Sequence, residues 1–386
     1  MNYNNYSDRK GSTYIMRMVC AILFCGFTFV YLYFYQADML AVAQHILSGG
    51  ATTYDGLIGA VIITAVLQLV QVGIFSVMPL SGNFHALTYF PSALLLALLA
   101  SMEPAEGGIV GLGFAWWLAI LLLLLWGGAC IMLLRLPEAS AWSGSPTFLL
   151  SASAWRNLLC MALLFLFIGL AGNNDAVMHY RMKAEVCLTE DDPKGATAVG
   201  RRSHEADAGL TMLRFFALAR EGRLADELFK YPVCGTSGDM IPLPGGAECL
   251  LYPADSIYKF LGAKPARPMA ARLYLHALLR TGLASDAVKD YLLCGYLVDR
   301  DIDAFAKALP SFYEISDKLP LHYREALTLY THLRANPVVV YHNDVMDTDY
   351  EDLQRLERMH NQREARKNAL HSQYAGTYWW YYEYGG

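Results

Sequence analysis

The sequence predicts an all-α protein in two parts, a polytopic transmembrane helical bundle followed by a soluble α-solenoid. Three observations predict this. Charge is split, with five Lys/Arg and six Asp/Glu in residues 1–172 against 25 and 29 in residues 173–386. Long apolar runs occur only in the first part. In the second, apolar residues recur at helical spacing between Gly and Pro breaks, and strand-like alternation is confined to Val338–Tyr341. The chain is therefore divided into a transmembrane domain, 1–172, and an extracytoplasmic helical-repeat domain, 173–386.

A helix needs about 20 mostly apolar residues to cross a bilayer. Five segments qualify: 14–35, 56–78, 84–101, 108–134 and 155–171. The first outruns the roughly 7–15 apolar residues of a signal-peptide core. It ends in Tyr31, Tyr33 and Tyr35, which suit a membrane–water interface, so it reads as a retained anchor. The third is strongly apolar only from Pro91 to Ala100, which leaves an interfacial or re-entrant start open. With five spans, Arg9, Lys10, Arg17, Arg135 and Arg156 all fall on one side, and loops 36–55 and 102–107 on the other side contain no Lys or Arg. Basic loops stay cytoplasmic. The N-terminus is thus expected inside, with 173–386 in the periplasm of a bacterial inner membrane. Losing the third span would reverse this.

Transport and proton relay usually place ionisable residues at mid-membrane, and these spans hold almost none. Gln68 and Gln71, three apart, are expected to hydrogen-bond a neighbouring helix. Gly107 and Gly111 form a GxxxG, read as a close helix contact. Cys20, Cys25, Cys130 and Cys160 sit in spans as small apolar residues. Cys187, Cys234, Cys249 and Cys294 lie beyond, where three pairings are open; a Cys234–Cys249 disulfide is one candidate and free thiols are the alternative.

In the second part, Leu210, Leu213, Ala217 and Leu218 share a helical face, Gly222 breaks the run, and a second helix runs from Leu224 to before Pro232. The same grammar returns around Gly282, with Ser285 as a candidate cap, and more loosely around Asp191, Asp192 and Pro193. The stretch AREGRLADELFKYP (219–232) resembles the second half of a tetratricopeptide unit, although the aromatic and Leu-Gly positions of the first helix are not met in full. The resemblance implies a tetratricopeptide-like superhelix. Between hairpins, 231–253 holds four Pro and four Gly and is expected to project from one face of the array. The layout also resembles an uncharacterised family of Bacteroidetes multi-pass membrane proteins, a domain-of-unknown-function family. The similar stretches are GNNDAVMHYRMK (172–183), GRLADELFKYP (222–232) and NPVVVYHNDVMDTDYEDLQRL (336–356). That resemblance implies spans first, then an extracytoplasmic helical-repeat domain, and no known activity.

Chemistry-bearing motifs are sparse. His342, Asp344 and Asp347 open an acidic run, but a calcium loop needs Gly at its sixth position and Glu at its twelfth. Counting from Asp344 those positions hold Asp349 and Arg355; from Asp347 they hold Asp352 and Arg358. The run reads instead as an acidic helix start, capped by Asp347 or Thr348, for one helix over 348–370. His179 and Asp175, just past the last span, are the candidate base and orienter at the membrane surface. The terminal TYWWYYEYGG supplies Trp379, Trp380, Tyr381 and Tyr382, read as rings that cover an apolar flank, contact the lipid interface or bind a partner. P-loop, GxSxG, HExxH and GxGxxG motifs are absent. No cofactor is expected, and the net acidic second domain argues against nucleic acid. The expected function is non-enzymatic: a membrane-anchored helical-repeat domain that binds a protein or peptide partner in envelope assembly or scaffolding. The alternative is a membrane enzyme acting on a lipid-linked or envelope glycan substrate.

Overall fold

Apolar length decides the first unit. The computed structural model describes residues 4–80, 82–105, 107–135 and 152–385, with side chains from Tyr14 onward, so the Arg9 and Lys10 side chains used above lie outside the described residues. The described residues form eighteen α-helices and one two-stranded sheet, in two compact units, Met1–Asp175 and Ala176–Gly386.

The first unit contains α1 (Asn4–Val30), α2 (Ala37–Leu47), α3 (Gly56–Val77), α4 (Phe90–Ala100), strands β1 (Met102–Ala105) and β2 (Ile109–Leu112), α5 (Trp116–Arg135) and α6 (Ala152–Ala171). Four helical stretches, Tyr14–Tyr35, Gly56–Val77, Trp116–Arg135 and Ala152–Ala171, are long and apolar enough to cross a membrane. Their outward faces are the large apolar residues that water would not tolerate, such as Leu69, Leu124 and Leu163.

The segment His85–Ala100 is shorter: a 3-10 turn, His85–Tyr89, runs into α4. Unlike its neighbours, α4 is buried nearly all round, with Ala93, Leu96 and Ala97 enclosed, and packs against α3, α5 and α6. Two polar contacts hold it parallel to α6 along its length. At one end the Asn157 carboxamide accepts from Ala86 N–H (2.8 Å) and donates to Gly82 O (2.8 Å). At the other, Asn173 N–H donates to Ala100 O (2.8 Å). Gln71 donates to Thr88 Oγ1 (2.9 Å) and accepts from Gln68 (3.1 Å), so the two glutamines do join neighbouring segments.

Residues 102–112 depart from expectation. Gly107 and Gly111 are not a helix contact. Gly107 (φ 81°) and Gly108 (φ 75°) take backbone conformations that favour glycine and turn an antiparallel hairpin that pairs Met102 with Leu112. The fourth span accordingly starts at Trp116 rather than 108.

The second unit comprises α7 (Ala176–Thr189), α8 (Pro193–Ala198), α9 (Ala208–Arg220), α10 (Leu224–Glu227), α11 (Ala254–Leu261), α12 (Ala271–Thr281), α13 (Ala287–Val298), α14 (Ile302–Ala308), α15 (Leu321–Leu333), α16 (Asp344–Arg358), α17 (Arg363–Tyr374) and α18 (Tyr378–Tyr384). Asp192 caps α8 by accepting from Gly195 N–H (2.8 Å), with Pro193 in the first turn. Gly282 (φ 68°) closes α12 in the left-handed region. Ser285 does not cap α13; its backbone N–H donates to Leu261 O and its hydroxyl has no partner. Hairpin neighbours pack on one another, α7 on α8 and α12 on α13, but α10 also packs on α15. There Leu321 N–H donates to Asp226 Oδ1 (2.7 Å), across 95 positions. In a solenoid each unit touches only its neighbours, so these hairpins are additionally tied by contacts that skip along the chain.

Three local expectations are corrected. Residues 231–253 do not project: Tyr231, Met240, Ile241, Leu243 and Ala247 are core residues, and the surrounding backbone is held by carboxylates described below. The helix expected over 348–370 is two. Asn343 caps α16 by accepting from Met346 N–H (3.1 Å), and the weak helix formers His360 and Asn361 fall in the break before α17. Val338–Tyr341 is irregular chain, not strand.

The terminal aromatics form α18, capped by Thr377, whose hydroxyl accepts from Trp380 N–H (3.2 Å). Tyr378, Trp379, Tyr381 and Tyr384 join the main core, and the Tyr378 and Tyr381 rings both pack on Phe229. Truncating such a ring leaves a cavity, so Tyr378→Ala should destabilise the second unit by about 3 kcal/mol, while exposed Glu383→Ala should change stability by under about 0.5 kcal/mol. Thermal denaturation of the full chain in detergent checks this; equal melting of both variants would refute it.

Candidate functional site

Two kinds of polar feature organise this chain: an open cleft in the first unit and a set of buried braces in the second. The cleft, of about 540 Å³, lies where the C-terminal end of α6 meets the β1–β2 hairpin. Phe114, Phe167 and Leu170 form its apolar side, and Ser101, Glu103 and Asp175 contribute polar groups. Asp175, a candidate from the sequence, thus does border a concave surface. Its backbone N–H donates to the Asn173 side chain (2.8 Å). His179 belongs to the other unit, half-buried in the first turn of α7.

In the second unit buried carboxylates gather backbone donors. Glu185, on α7, is fully buried and accepts from three consecutive N–H groups, Leu250 (2.9 Å), Leu251 and Tyr252 (2.8 Å). Burial pushes its pKa up, against the pull of those donors and of Arg181. Arg181 in turn donates to Glu248 O (2.6 Å). Asp299 receives the Ser237 N–H (2.8 Å), the Ser237 hydroxyl and the Arg272 guanidinium. These two carboxylates pin both ends of the Pro/Gly-rich segment onto helices.

Asp290, on α13, accepts from the phenols of Tyr313 (2.7 Å) and Tyr323 (2.9 Å). Desolvation raises its carboxyl above the usual range, and the two phenol hydrogen bonds oppose that shift. The fourth brace is a histidine–glutamate pair on α15. Phe229 N–H donates to His322 Nε2 (3.3 Å), so Nδ1 carries the proton and donates to Glu325 Oε2 (2.8 Å). Glu325 Oε2 also accepts Tyr378 N–H (2.7 Å), and Glu325 O accepts from Trp379 Nε1 (2.7 Å). One buried pair therefore joins α15, the chain after α10 and the start of α18. Arg214 is buried without a carboxylate at hydrogen-bond distance; it donates to Val199 O and Gly200 O (both 3.3 Å), and burial lowers its pKa to about 10.

The remaining sequence candidates are placed as follows. His342 Nδ1 lies 3.3 Å from Asp347 Oδ2, His332 Nε2 lies 3.6 Å from Asp347 Oδ1, and Asp344 is exposed at the start of α16. Among the described residues no group of three or more His, Cys, Asp or Glu is arranged to hold a metal ion. Trp379 and Tyr381 are buried, while Trp380 and Tyr382 are half-buried. Cys234 is exposed and Cys249 half-buried, both as free thiols, and burial raises the Cys249 pKa.

The braces were not singled out from sequence. Only the i, i+3 spacing of His322 and Glu325 carried a local signal; the partners of Glu185, Asp290 and Asp299 are too distant along the chain.

Residues 268–385 match a family of unknown function, DUF6057. The match runs through α12–α18 and includes Asp290, Asp299, His322, Glu325 and the aromatic terminus. Of the stretches that carried the resemblance above, 336–356 falls inside it, and 172–183 and 222–232 fall outside. No curated protein and no solved structure matches the chain.

Two measurements test the braces. Glu185→Ala leaves three half-buried N–H groups without their acceptor, so hydrogen exchange at Leu250–Tyr252 should speed up by at least about tenfold relative to the wild type. For Asp290 the sign is set by its raised folded pKa: the folded state binds the proton more tightly than the unfolded one. Stability from this group is present at low pH and is lost as pH rises above the ordinary carboxylate value of about 3.9. Asp290→Asn should flatten that fall; an unchanged pH profile of melting temperature would show that the carboxyl is not destabilised by burial.

Proposed function

We propose that this protein is a non-enzymatic, membrane-anchored binding module: the helical bundle fixes it in a bacterial inner membrane, and the helical unit docks a protein or peptide partner on the extracytoplasmic side. The observation that carries the reading is where the second unit spends its polar and apolar groups. Buried Glu185, Glu325 and His322 and half-buried Asp290 and Asp299 are engaged in structural braces. On the surface, within the family match, Leu333, Val338, Val340 and Val345 are left exposed, Val338 at 69% and Val340 at 57%. Apolar groups concentrated on one short surface segment favour a docking role over solvation. The hairpins themselves are read as divergent tetratricopeptide-like units.

The proposed sidedness draws its support from α4. Because His85–Ala100 runs alongside α6 between the Asn157 and Asn173 contacts, it spans roughly 25 Å at helical rise. That is close to the hydrocarbon thickness of about 30 Å. Counted as a crossing, it makes five passes and carries Ala176–Gly386 to the side opposite the N-terminus.

A second reading, an enzyme acting on a lipid-linked or glycan substrate, draws on the cleft beside Glu103 and Asp175. The two part under one experiment. A photo-crosslinking residue at Val338 or Val340, in intact membranes, should give one discrete protein adduct that is absent with the same residue at exposed Asp255. No adduct at 338 or 340, together with loss of a cellular phenotype on Asp175→Asn at normal protein level, would replace the first reading by the second.

A further inference from the structure

Between α8 and α9 the chain turns over a buried arginine and borders a second concavity. We propose that this concavity binds a phosphate monoester, its phosphoryl oxygens held by Arg201 and Arg202 and its organic group set against Tyr180 and Ala198. The site lies in the second unit, outside residues 268–385, and does not depend on partner docking.

The cavity, of about 480 Å³, is lined by Tyr180, Ala198, Gly200, Arg201, Arg202 and Ser203. Small-molecule sites run from about 300 to 1,000 Å³, so it has room for a phosphoryl group and a substituent the size of glycerol or a sugar. None of the six lining residues is acidic, and two are arginines. Both arginines are exposed, and among the described residues neither makes an ion pair. Glu205, further along the same loop, is exposed and pairs with neither of them.

The charge beneath the loop marks the place. Arg214, on α9, is 1% exposed, yet its guanidinium meets no carboxylate at hydrogen-bond distance. Its Nη2 donates to Val199 O and Gly200 O, and Nε and Nη1 have no hydrogen-bond partner. With a pKa of about 10 it stays protonated at neutral pH. Asp207, the acid whose charge acts on it, caps α9 through Leu210 N–H (2.6 Å) and is shared with Arg181 (3.4 Å). A buried cation without a paired anion is costly, and an anion bound at the Gly200 loop offsets part of that cost.

Gly200 holds the loop down. Its φ of 60° favours glycine, and a Cβ there would lie 2.8 Å from the Tyr180 ring and 3.2 Å from Arg214 Nη2. The loop therefore rests directly on both side chains, and the two exposed arginines follow within two residues of the Arg214 contact.

Donor count favours phosphate over carboxylate. Each guanidinium offers a planar fork of N–H groups. A carboxylate has two oxygens and satisfies one fork. The three terminal oxygens of a phosphate monoester serve two forks, and its charge of about −1.5 to −2 answers two surface cations with a third below.

Isothermal titration calorimetry on the full-length protein in detergent tests this, with glycerol 3-phosphate, glycerate, glycerol and inorganic phosphate as probes. Glycerol 3-phosphate should bind at least about tenfold more tightly than glycerate and about threefold more tightly than inorganic phosphate, and glycerol should not bind. Arg201→Ala combined with Arg202→Ala, at two exposed positions, should weaken the ester by at least about tenfold with Tm unchanged. Failure of the wild type to bind the ester overturns the proposal, as does glycerate binding as tightly as the ester; neither result requires a variant to fold. Inorganic phosphate binding as tightly as the ester overturns the part given to Tyr180 and Ala198. An ester affinity unaltered in the double variant overturns the site itself.

Discussion

The contact on which the architecture turns is the clamp of the His85–Ala100 segment against α6, made by Asn157 at one end and by Asn173 and Ala100 at the other. A polar side chain buried inside an apolar bundle is costly unless it is hydrogen-bonded, and Asn157 is 1% exposed with both its carbonyl and its amide engaged. That makes it a positioning residue for α4, one of the two 11-residue helices of the first unit. Once α4 is held there, Ser92 can donate to Leu67 O (2.7 Å) and Trp126 Nε1 to Leu87 O (2.9 Å), so α3 and α5 are fixed by the same segment. A central helix enclosed on its flanks does not need the length or uniform hydropathy of one that faces lipid.

The helical unit uses a different device to the same end. Its irregular segments are fastened to helices by buried or half-buried carboxylates that accept backbone N–H groups. Glu185 holds the end of the Pro/Gly-rich stretch, Asp299 its start, and the His322–Glu325 pair the C-terminal helix. Net hydrogen-bond gains are modest, about 1 kcal/mol each, but leaving a buried partner unmet costs more than the bond contributed. These sites are therefore better described as specifying where chain segments dock than as the source of stability, which lies in the continuous apolar core from Ala184 to Tyr384. The oxygens of Glu185 and Asp299 and the nitrogens of His322 are occupied by these contacts.

How much of this was legible follows from the range of each interaction. Apolar length found the spans, and the Asp192 cap and the Gly222 and Gly282 turns were readable because cap and turn chemistry lies within a few residues. The hairpin at Met102–Leu112 was masked by its own composition: GGIVGLG is apolar enough to pass for the start of a span, and only the paired positive φ values reveal the turn. The burial of 231–253 could not be read, since Pro and Gly announce irregular chain and not its location; the acceptors that bury it, Glu185 and Asp299, lie 65 and 62 positions from their partners. The terminal aromatics were suggestive in kind but not in place. Their acceptors, Glu325 and Val298, sit on helices far earlier in the chain. Of the site candidates, Asp175 borders the cleft, while the Glu103 that shares it drew no notice because its significance depends on the empty Cβ position at Gly113.

The proposed sidedness requires that the His85–Ala100 segment complete a fifth crossing and so place the helical unit outside the cytoplasm. Paired reporters fused after Gly386 test it directly, alkaline phosphatase for the outside and a cytoplasm-restricted fluorescent protein for the inside. Phosphatase activity with no fluorescence is expected. Fluorescence with inactive phosphatase would contradict the crossing, and with it the extracytoplasmic docking surface.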